Sequence, residues 1–222
     1  MARKVQKQEF AVIGLGRFGT AVARTLLGRG YTVLGIDRSR EAVQPLSDEL
    51  TEALILDATD EDALRSVDIA LYNAVVVTIN DDFEDELLTT VTLKNLGVPR
   101  IVTVASDERQ KTILSKVGAD EVVMPEYESG ERLGLMLALP NLVERLALGD
   151  EHMIAELRLP RDFADRTVED INFSGVQHVT LLAVRRKGKL IMSPDKDLLL
   201  YNNDLMVVVG RNEDVRRLTE VE

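Results

Sequence analysis

The sequence predicts a doubly wound α/β domain followed by a smaller α+β domain, and three observations lead to this prediction. Short apolar runs alternate with amphipathic, charged stretches from residue 10 to residue 124. A glycine-rich turn, Gly14-Leu15-Gly16-Arg17-Phe18-Gly19, directly follows the first apolar run. Beyond residue 150 the pattern changes to short apolar segments separated by turn residues. Alternation of the first kind is typical of a parallel sheet whose helices cover both faces.

The elements of the first domain follow from their residue patterns. Val75-Val76-Val77 is apolar at every position, as in a parallel strand covered on both faces. The stretches between the apolar runs carry helical spacing, and Gly30, Gly97 and Gly118 stand near the ends of these stretches. In this Rossmann-like arrangement the predicted strands are residues 10–13, 32–36, 53–56, 74–79, 101–104 and 122–124, and the predicted helices are residues 17–28, 41–50, 83–96 and 108–116.

The rest of the chain is predicted as a leader, a connector and a second domain. Residues 1–8 form a flexible leader, residues 9–126 the first domain, residues 127–150 a helical connector and residues 151–222 the α+β domain. Pro140 should break or kink the connector helix because proline lacks an N–H. The second domain is predicted to contain strands at residues 153–159, 180–185, 189–192 and 205–209, and helices at residues 168–173 and from residue 213.

The connector also carries a concentration of apolar side chains. They could complete the core of the monomer or bind a second subunit, and their breadth favours a subunit contact. The second domain, of about 70 residues, is near the lower size limit for a comfortable core, so that pairing with another copy would stabilise it. We therefore predict a dimerisation segment around Leu133, Leu135, Met136, Leu137 and Leu139.

Composition and charge exclude several function classes. The apolar runs are far shorter than the roughly 20 residues of a membrane span, and no signal peptide pattern begins the sequence, so a cytoplasmic protein is expected. A formal charge of −11 opposes nucleic-acid binding. There is no cysteine, and the only histidines, His152 and His178, fall outside the first domain. With no lysine or tyrosine at a predicted strand end, we predict that the protein is not an enzyme.

The glycine-rich turn is predicted to bind phosphate. In the spacing Gly14-x-Gly16-x-x-Gly19, the first glycine permits a tight turn, the second lets the backbone approach a pyrophosphate, and the third permits close packing of helix on strand. The helix that follows presents N–H groups to an anion. A tight turn without a ligand is the alternative, and the acidic residue after the second strand favours nucleotide binding.

That acidic residue is Asp37. Its carboxylate can accept hydrogen bonds from both ribose hydroxyls, and its charge would repel a 2′-phosphate. An adenosine nucleotide without that phosphate is therefore expected, although Arg38 is adjacent. The alternative is that Asp37 only caps the end of its strand.

Other residues are placed around the nucleotide by their positions at strand ends. Arg17 could reach the outer phosphates, which would favour ATP, or it could be a solvated arginine at the start of a helix. We expect Leu15 and Phe18 within the loop, and the strand-end residues Asp57, Ala58, Thr59, Thr78, Ile79 and Asn80, to line the binding pocket.

Two acidic clusters are predicted to cap helices rather than to bind metal. These are Asp60-Glu61-Asp62 and Asp81-Asp82, and acidic side chains are stabilised at the positive N-terminal end of a helix. Metal binding is the less favoured interpretation.

The sequence resembles the cytosolic regulatory subunits of bacterial Ktr and Trk potassium uptake systems, which are built from RCK (regulator of conductance of potassium) domains. The resemblance extends from Phe10 to Glu222. Under it, residues 9–126 would be the nucleotide-binding RCK N domain and residues 151–222 the RCK C domain. It is carried by the motifs FAVIGLGRFG at residues 10–19, DAT at 57–59, KVGAD at 116–120 and MPE at 124–126.

The resemblance implies a regulator that binds ATP or ADP and turns nothing over. It implies dimers that assemble into an octameric ring on the inner face of a dimeric potassium-transporting membrane protein. Arg17 would reach the terminal phosphate of ATP, Asp37 would hold the ribose, and Glu126 would help to place a divalent cation such as Mg²⁺ or Ca²⁺. From the residues alone, Glu126 is an acid stabilised by the start of a helix.

The sequence departs from this family in two places. Ktr relatives often carry a basic residue near the end of the fifth strand, where this chain has Val104, which leaves the preference between ATP and ADP open. Some relatives bind cyclic di-AMP in the C domain through an arginine after an asparagine-containing turn. Here Asn172 is followed by Phe173-Ser174, so we do not expect cyclic di-AMP to bind.

Two rival functions share the glycine-rich turn and Asp37. An NAD-dependent oxidoreductase would need a substrate domain with an acid or base, which the last 70 or so residues supply poorly. An NAD(H)-sensing module of another channel or transporter would differ only in the ligand that it detects.

Overall fold

The structure is a computed structural model that describes residues 8–79, 82–173 and 178–220. The chain divides into two compact units, Met1–Glu128 and Ser129–Glu222. Each unit has its own sheet and its own hydrophobic core.

The first unit is built on a six-stranded parallel sheet in the order β3-β2-β1-β4-β5-β6. All six strands predicted from the apolar runs are present within two residues of the predicted ends. The order reverses direction between β1 and β4, and in open sheets of this kind the ligand crevice lies at that point. The strands are β1 (Glu9–Ile13), β2 (Thr32–Asp37), β3 (Glu52–Ile55), β4 (Ala74–Val77), β5 (Ile101–Val104) and β6 (Glu121–Val123).

Helices pack on both faces of this sheet, as predicted. Alternate residues of β1 show it, because Ile13 packs in a core with Leu64 and Leu93, whereas Val12 packs in a second core with Ala23. These helices are α1 (Arg17–Gly28), α2 (Arg40–Val43), α3 (Glu61–Ser66), α4 (Phe83–Leu96) and α5 (Glu108–Val117), with 3₁₀ turns at Gln44–Leu46 and Ile69–Leu71. The next helix, α6 (Pro125–Ala138), begins in the first unit and continues into the residues of the second.

Two helix predictions in this unit need correction. The predicted helix at residues 41–50 is only the single turn α2 followed by the 3₁₀ turn, because Pro45 has no N–H to continue an α-helical ladder. Only the acidic cap of helix α3 was predicted and not its extent, because six residues are too few to show a helical period.

The acidic residues before two helices act as caps, as predicted. Asp60 accepts hydrogen bonds from the N–H groups of Asp62 and Ala63 at the start of α3. Asp82 accepts from those of Glu84 and Asp85 at the start of α4. Asp81 lies outside the described residues.

The second unit is a five-stranded antiparallel sheet in the order β10-β9-β11-β8-β7. Its core includes Phe163, Phe173 and Met206, and the two phenylalanine rings meet edge to face. The elements are β7 (Leu142–Leu148), β8 (His152–Arg158), α7 (Val168–Ile171), β9 (Val179–Arg186), β10 (Lys189–Met192), β11 (Leu205–Arg211) and α8 (Asn212–Thr219), with a 3₁₀ turn at Arg161–Phe163.

The prediction of a helical connector over residues 127–150 is wrong in its second half. Helix α6 ends at Ala138, two residues before Pro140, and the chain then forms the strand β7 paired with β8. Residues 142–148 have no strong preference for a strand, but β8 offers an unpaired edge next to them. Pairing within the sheet therefore overrides local helix propensity.

Candidate nucleotide-binding site

The glycine-rich turn connects β1 to α1 and packs closely against Thr78, which follows β4. Gly14 has a φ of +91°, and a Cβ there would lie 2.4 Å from the carbonyl oxygen of Thr78. A Cβ on Gly19 would lie 1.9 Å from the carbonyl oxygen of Gly14. Gly14 also donates its N–H to the carbonyl of Ile36 at 2.8 Å. The fold therefore requires these two glycines whether or not a ligand binds.

Gly16 differs from them. A Cβ on Gly16 would meet no atom within 4 Å, and its φ of −67° is accessible to any residue. Nothing in the described structure thus requires glycine at this position. Open space above the backbone is what a phosphate group would need in order to approach it.

Helix α1 begins without the acidic cap that other helices of this unit have. Its N-cap is Gly16, which provides no side-chain hydrogen bond, and no acidic residue stands in its first turn. By contrast, the N-cap residues of α3, α4 and α5 are Asp60, Asp82 and Asp107, whose carboxylates accept N–H groups of the first turn. The positive end of α1 therefore has no acidic cap of its own and is suited to an anion.

Asp37, at the end of β2, is fixed against the loop. Its Oδ2 accepts the N–H of Leu15 at 2.7 Å, and its Oδ1 accepts the N–H of Ser39 at 2.8 Å. These bonds hold the carboxylate beside the glycine-rich turn, where a ribose would follow the phosphates along the sheet edge. Sequence reasoning placed Asp37 near the loop but did not foresee its bond to Leu15.

The other predicted site residues fall into an exposed group and a packed group. Arg17 is exposed and forms no hydrogen bond or ion pair with any described residue. Phe18 is half-buried, whereas Ala58 and Leu15 are buried in two different core clusters of the unit. The side chains of Leu15 and Ala58 thus pack inside the protein, and only their backbone atoms could touch a ligand.

Hydrogen bonds fix three of the remaining strand-end residues, Asp57, Thr59 and Thr78. Asp57 accepts both the N–H and the hydroxyl of Thr59, at 3.0 and 2.7 Å, and these bonds lower the pKa of the Asp57 carboxyl. The hydroxyl of Thr78 donates to the carbonyl of Gly14 at 3.2 Å. Ile79 packs against a core, and Asn80 lies outside the described residues.

Glu126 stands apart from this group, in the first turn of α6, where it is exposed. Within the described part of the chain no three potential ligands from histidine, aspartate or glutamate converge on one point. A cation at Glu126 would need further ligands from a bound nucleotide or from another copy of the chain.

Sequence reasoning missed Glu86, a residue of α4 whose buried carboxyl group lies at the end of β5. Its side chain is buried and its Oε1 accepts the N–H of Val104 at 3.1 Å. Burial raises the pKa of this carboxyl to about 8. The buried residues of α4, at spacing i, i+3, i+4 and i+7, are Glu86, Thr89, Thr90 and Leu93, so the signal was an acid on the face that packs against the sheet.

Two further buried polar groups lie on the same helix as Glu86 and on β5. The hydroxyls of Thr89, on α4, and Thr103, on β5, are buried without a hydrogen-bond partner among the described residues. Val104 stands at the position where the family resemblance implies a basic residue. Here a carboxyl group of the protein itself occupies that end of β5.

Comparison with known families identifies the chain. The TrkA-N domain family matches residues 10–125, just over half of the chain, and the TrkA-C domain family matches residues 152–221. The chain belongs to the TrkA-type family of RCK proteins. The resemblance seen in the sequence is thereby confirmed.

The relatives of this RCK protein include potassium uptake proteins. Ktr system potassium uptake protein A of Bacillus subtilis (strain 168) is 32% identical over 214 residues, which cover 96% of each chain. Protein C of the same organism is 31% identical, over 95% of this chain and 96% of its own. Potassium uptake protein A of Vibrio alginolyticus is 30% identical, over 93% and 94% of the two chains.

Solved structures confirm the RCK fold. The GsuK RCK domain superposes with a TM-score of 0.68 at 16% identity, over 99% of this chain and 48% of that one. The GsuK channel bound to NAD gives a TM-score of 0.67 at 17% identity, over 99% and 40%. This chain therefore spans about half the length of these structures or less. None of its described helices has the length and apolar character needed to cross a bilayer.

Proposed function

We propose that this chain binds ATP or ADP at the carboxyl edge of its parallel sheet and thereby sets the activity of a potassium-transporting membrane protein. It is a regulatory subunit of potassium transport, as its relatives along almost their whole length are potassium uptake proteins. The observation that carries the proposal is the start of α1, where Gly16 leaves open space beside N–H groups that no side chain caps.

Arg17 would distinguish ATP from ADP. It lies in the first turn of α1, next to the open space at Gly16, and its guanidinium is not engaged by any described residue. A free guanidinium at this position can bind the terminal phosphate with two parallel hydrogen bonds. A cation held with the help of Glu126 would share that phosphate.

Gating requires that the two nucleotides bind differently to two arrangements of the subunits. A ligand shifts an equilibrium only by the difference between its affinities for the two states. We infer that the γ-phosphate, through Arg17, favours one arrangement, and that a coupling of about 1–3 kcal/mol is enough to change the transport activity strongly. No covalent step is involved.

The surface of α6 supports assembly with further copies. The five apolar connector residues that were predicted to form a dimerisation segment fall into two groups. Leu135 and Leu139 pack against the core of the second unit, whereas Leu133 and Leu137 expose 58% and 74% of their surface. The exposed leucines, with Met136, would form the contact of a homodimer, and such dimers would assemble into an octameric ring docked on a dimeric membrane subunit.

The rival functions find less support. Both histidines lie outside the unit that contains the glycine-rich turn. Among the described ionisable groups of that unit, Glu86 has the most strongly raised pKa, and its side chain is buried. An oxidoreductase would need an accessible acid or base near the nicotinamide. NAD(H) as the detected ligand is distinguished by competition between NADH and ATP for the purified protein.

Arg17→Ala tests the proposed function. We expect the variant to bind ADP with an affinity within about threefold of the wild type, because Arg17 would contact only the terminal phosphate of ATP. ATP binding should weaken about tenfold or more, as charge-assisted hydrogen bonds contribute roughly 1.5–3 kcal/mol. Calorimetry measures both affinities, and potassium flux in vesicles measures activation by ATP.

Arg29→Ala is the matched control, since Arg29 is an exposed arginine at the opposite end of α1. It should leave both affinities unchanged. Unaltered ATP binding and activation in Arg17→Ala would contradict the role of Arg17. Native mass spectrometry of the wild type should show retained nucleotide in an assembly larger than a monomer.

A further inference from the structure

An ion pair crosses the carboxyl edge of the parallel sheet beside the proposed nucleotide site. Arg38 directly follows β2, and Asp85 stands in the first turn of α4, which follows β4. Nη1 of Arg38 donates to Oδ2 of Asp85 at 2.7 Å. Since β1 lies between β2 and β4 in the sheet, the pair spans the strand end that carries the glycine-rich turn.

The position of Arg38 gives this pair a consequence for ligand choice. An acid at the end of the second strand accepts the ribose hydroxyls, whereas an arginine nearby can bind a phosphate on the ribose 2′ oxygen. Asp37 and Arg38 therefore carry opposite preferences at adjacent positions. A free guanidinium at residue 38 would attract a 2′-phosphate with charge-assisted hydrogen bonds.

We propose that Asp85 is a specificity-determining residue of the proposed nucleotide site, because its pairing with Arg38 withholds the guanidinium from a 2′-phosphate. The site then selects adenine nucleotides whose ribose is unmodified. This role rests on the proposed nucleotide binding. Asp85 is far from Asp37 in sequence, but both residues would act against a ligand with a 2′-phosphate.

The surroundings of the pair support this role. The backbone of Asp85 is fixed by its N–H bond to the Asp82 cap at 3.3 Å, and the Asp85 side chain is 24% exposed, whereas that of Arg38 is 63% exposed. Arg38 also faces Asp57, whose carboxyl pKa is lowered mainly by the Thr59 hydroxyl and further by the charge of Arg38. A 2′-phosphate next to Arg38 would thus meet Asp37, Asp57 and Asp85, three negative charges against one positive charge.

The test compares 5′-AMP with adenosine 2′,5′-bisphosphate, which differ only in the 2′-phosphate. Their dissociation constants are measured by displacement of a fluorescent ATP analogue, so that weak binding is quantified. In the wild type we expect the bisphosphate to bind more weakly than AMP. In Asp85→Asn the ratio of the two constants should shift about tenfold towards the bisphosphate, because Arg38 is released.

Two further variants separate the pairing from a change in net charge. Glu84→Gln removes one negative charge from the same helical turn, and the Glu84 side chain has no hydrogen bond or ion pair with a described residue. It should leave the ratio within about twofold of the wild type. Adding Arg38→Ala to Asp85→Asn should abolish the shift.

The possible outcomes distinguish the two proposals. If AMP binds but Asp85→Asn gives the wild-type ratio, or only the change seen in Glu84→Gln, the role of Asp85 is wrong and nucleotide binding stands. If no adenine nucleotide displaces the analogue from the wild type, both proposals are wrong.

Discussion

The two halves of the parallel sheet end in opposite ways at their carboxyl edge. In the half formed by β1, β2 and β3, acidic side chains at the strand ends are accessible and held by short bonds, as Asp37 is held by Leu15 and Ser39. In the other half, the end of β5 is closed by the buried carboxyl of Glu86. One half is thus prepared for an external ligand, whereas the other is occupied by the protein itself.

The difference shows that a Rossmann-like sheet need not offer its whole edge to a nucleotide. A relative with a basic residue at the end of β5 could use that strand to contact phosphate. Here the position is Val104, whose N–H already bonds to Glu86. Phosphate binding would therefore depend on the loop, on the start of α1 and on Arg17.

The largest effect is expected from a variant that tests the packing of the glycine-rich turn. Gly19→Ala would place a Cβ 1.9 Å from the carbonyl oxygen of Gly14, which the rigid turn cannot move away. We expect a loss of roughly 3–5 kcal/mol in the free energy of unfolding of the first unit. Chemical denaturation followed by circular dichroism measures it.

Gly28→Ala is the control for Gly19→Ala, since a Cβ there would meet nothing within 4 Å. Its stability should be equal to or slightly above that of the wild type, because alanine favours a helix over glycine. Equal stabilities of Gly19→Ala and Gly28→Ala would show that the turn is not packed as described.

The second prediction concerns Glu86, at the end of β5, and the dependence of the protein's stability on pH. Burial raises the pKa of Glu86 from 4.5 to about 8. Between these values the native state keeps a proton that the unfolded chain has released, so its contribution to stability is complete below pH 4.5 and is lost as the pH rises to about 8. A pKa difference of this size corresponds to roughly 3–5 kcal/mol.

Glu86→Gln should abolish this loss of stability, because glutamine keeps the acceptor for the Val104 N–H and cannot ionise. Urea denaturation at several pH values between 5 and 9 should give a falling stability for the wild type and a flatter curve for the variant. Glu84→Gln, in the same turn but exposed, should retain the wild-type slope. Parallel curves for wild type and Glu86→Gln would contradict the buried, protonated state.

Much of the parallel sheet could be predicted because burial left few alternatives. A run such as Val75-Val76-Val77, buried at every position, fits only a covered strand, and its bounds were close to those found. Helices α1 and α4 begin and end where their spacing and flanking glycines predicted. The glycine-rich turn was recognisable for the same reason, since Gly14 and Gly19 are fixed by steric contacts within the fold.

The rest depended on contacts that are distant in sequence. Residues 142–148 form a strand only because β8 pairs with them. Which of the three acids Glu84, Asp85 and Glu86 is buried depends on the rotation of α4 against the sheet. The bond from Asp85 to Arg38 joins residues 47 positions apart, and no local pattern indicates it.

The smallest structural change provides the most direct test of the central claim that the start of α1 binds nucleotide phosphate. Gly16→Ala adds one methyl group in open space, at a cost in stability of about 1 kcal/mol or less. Calorimetry with ATP should show binding to the wild type and to Gly28→Ala, and an affinity at least tenfold lower for Gly16→Ala. Equal affinities in Gly16→Ala and the wild type, or no binding to the wild type, would contradict the account.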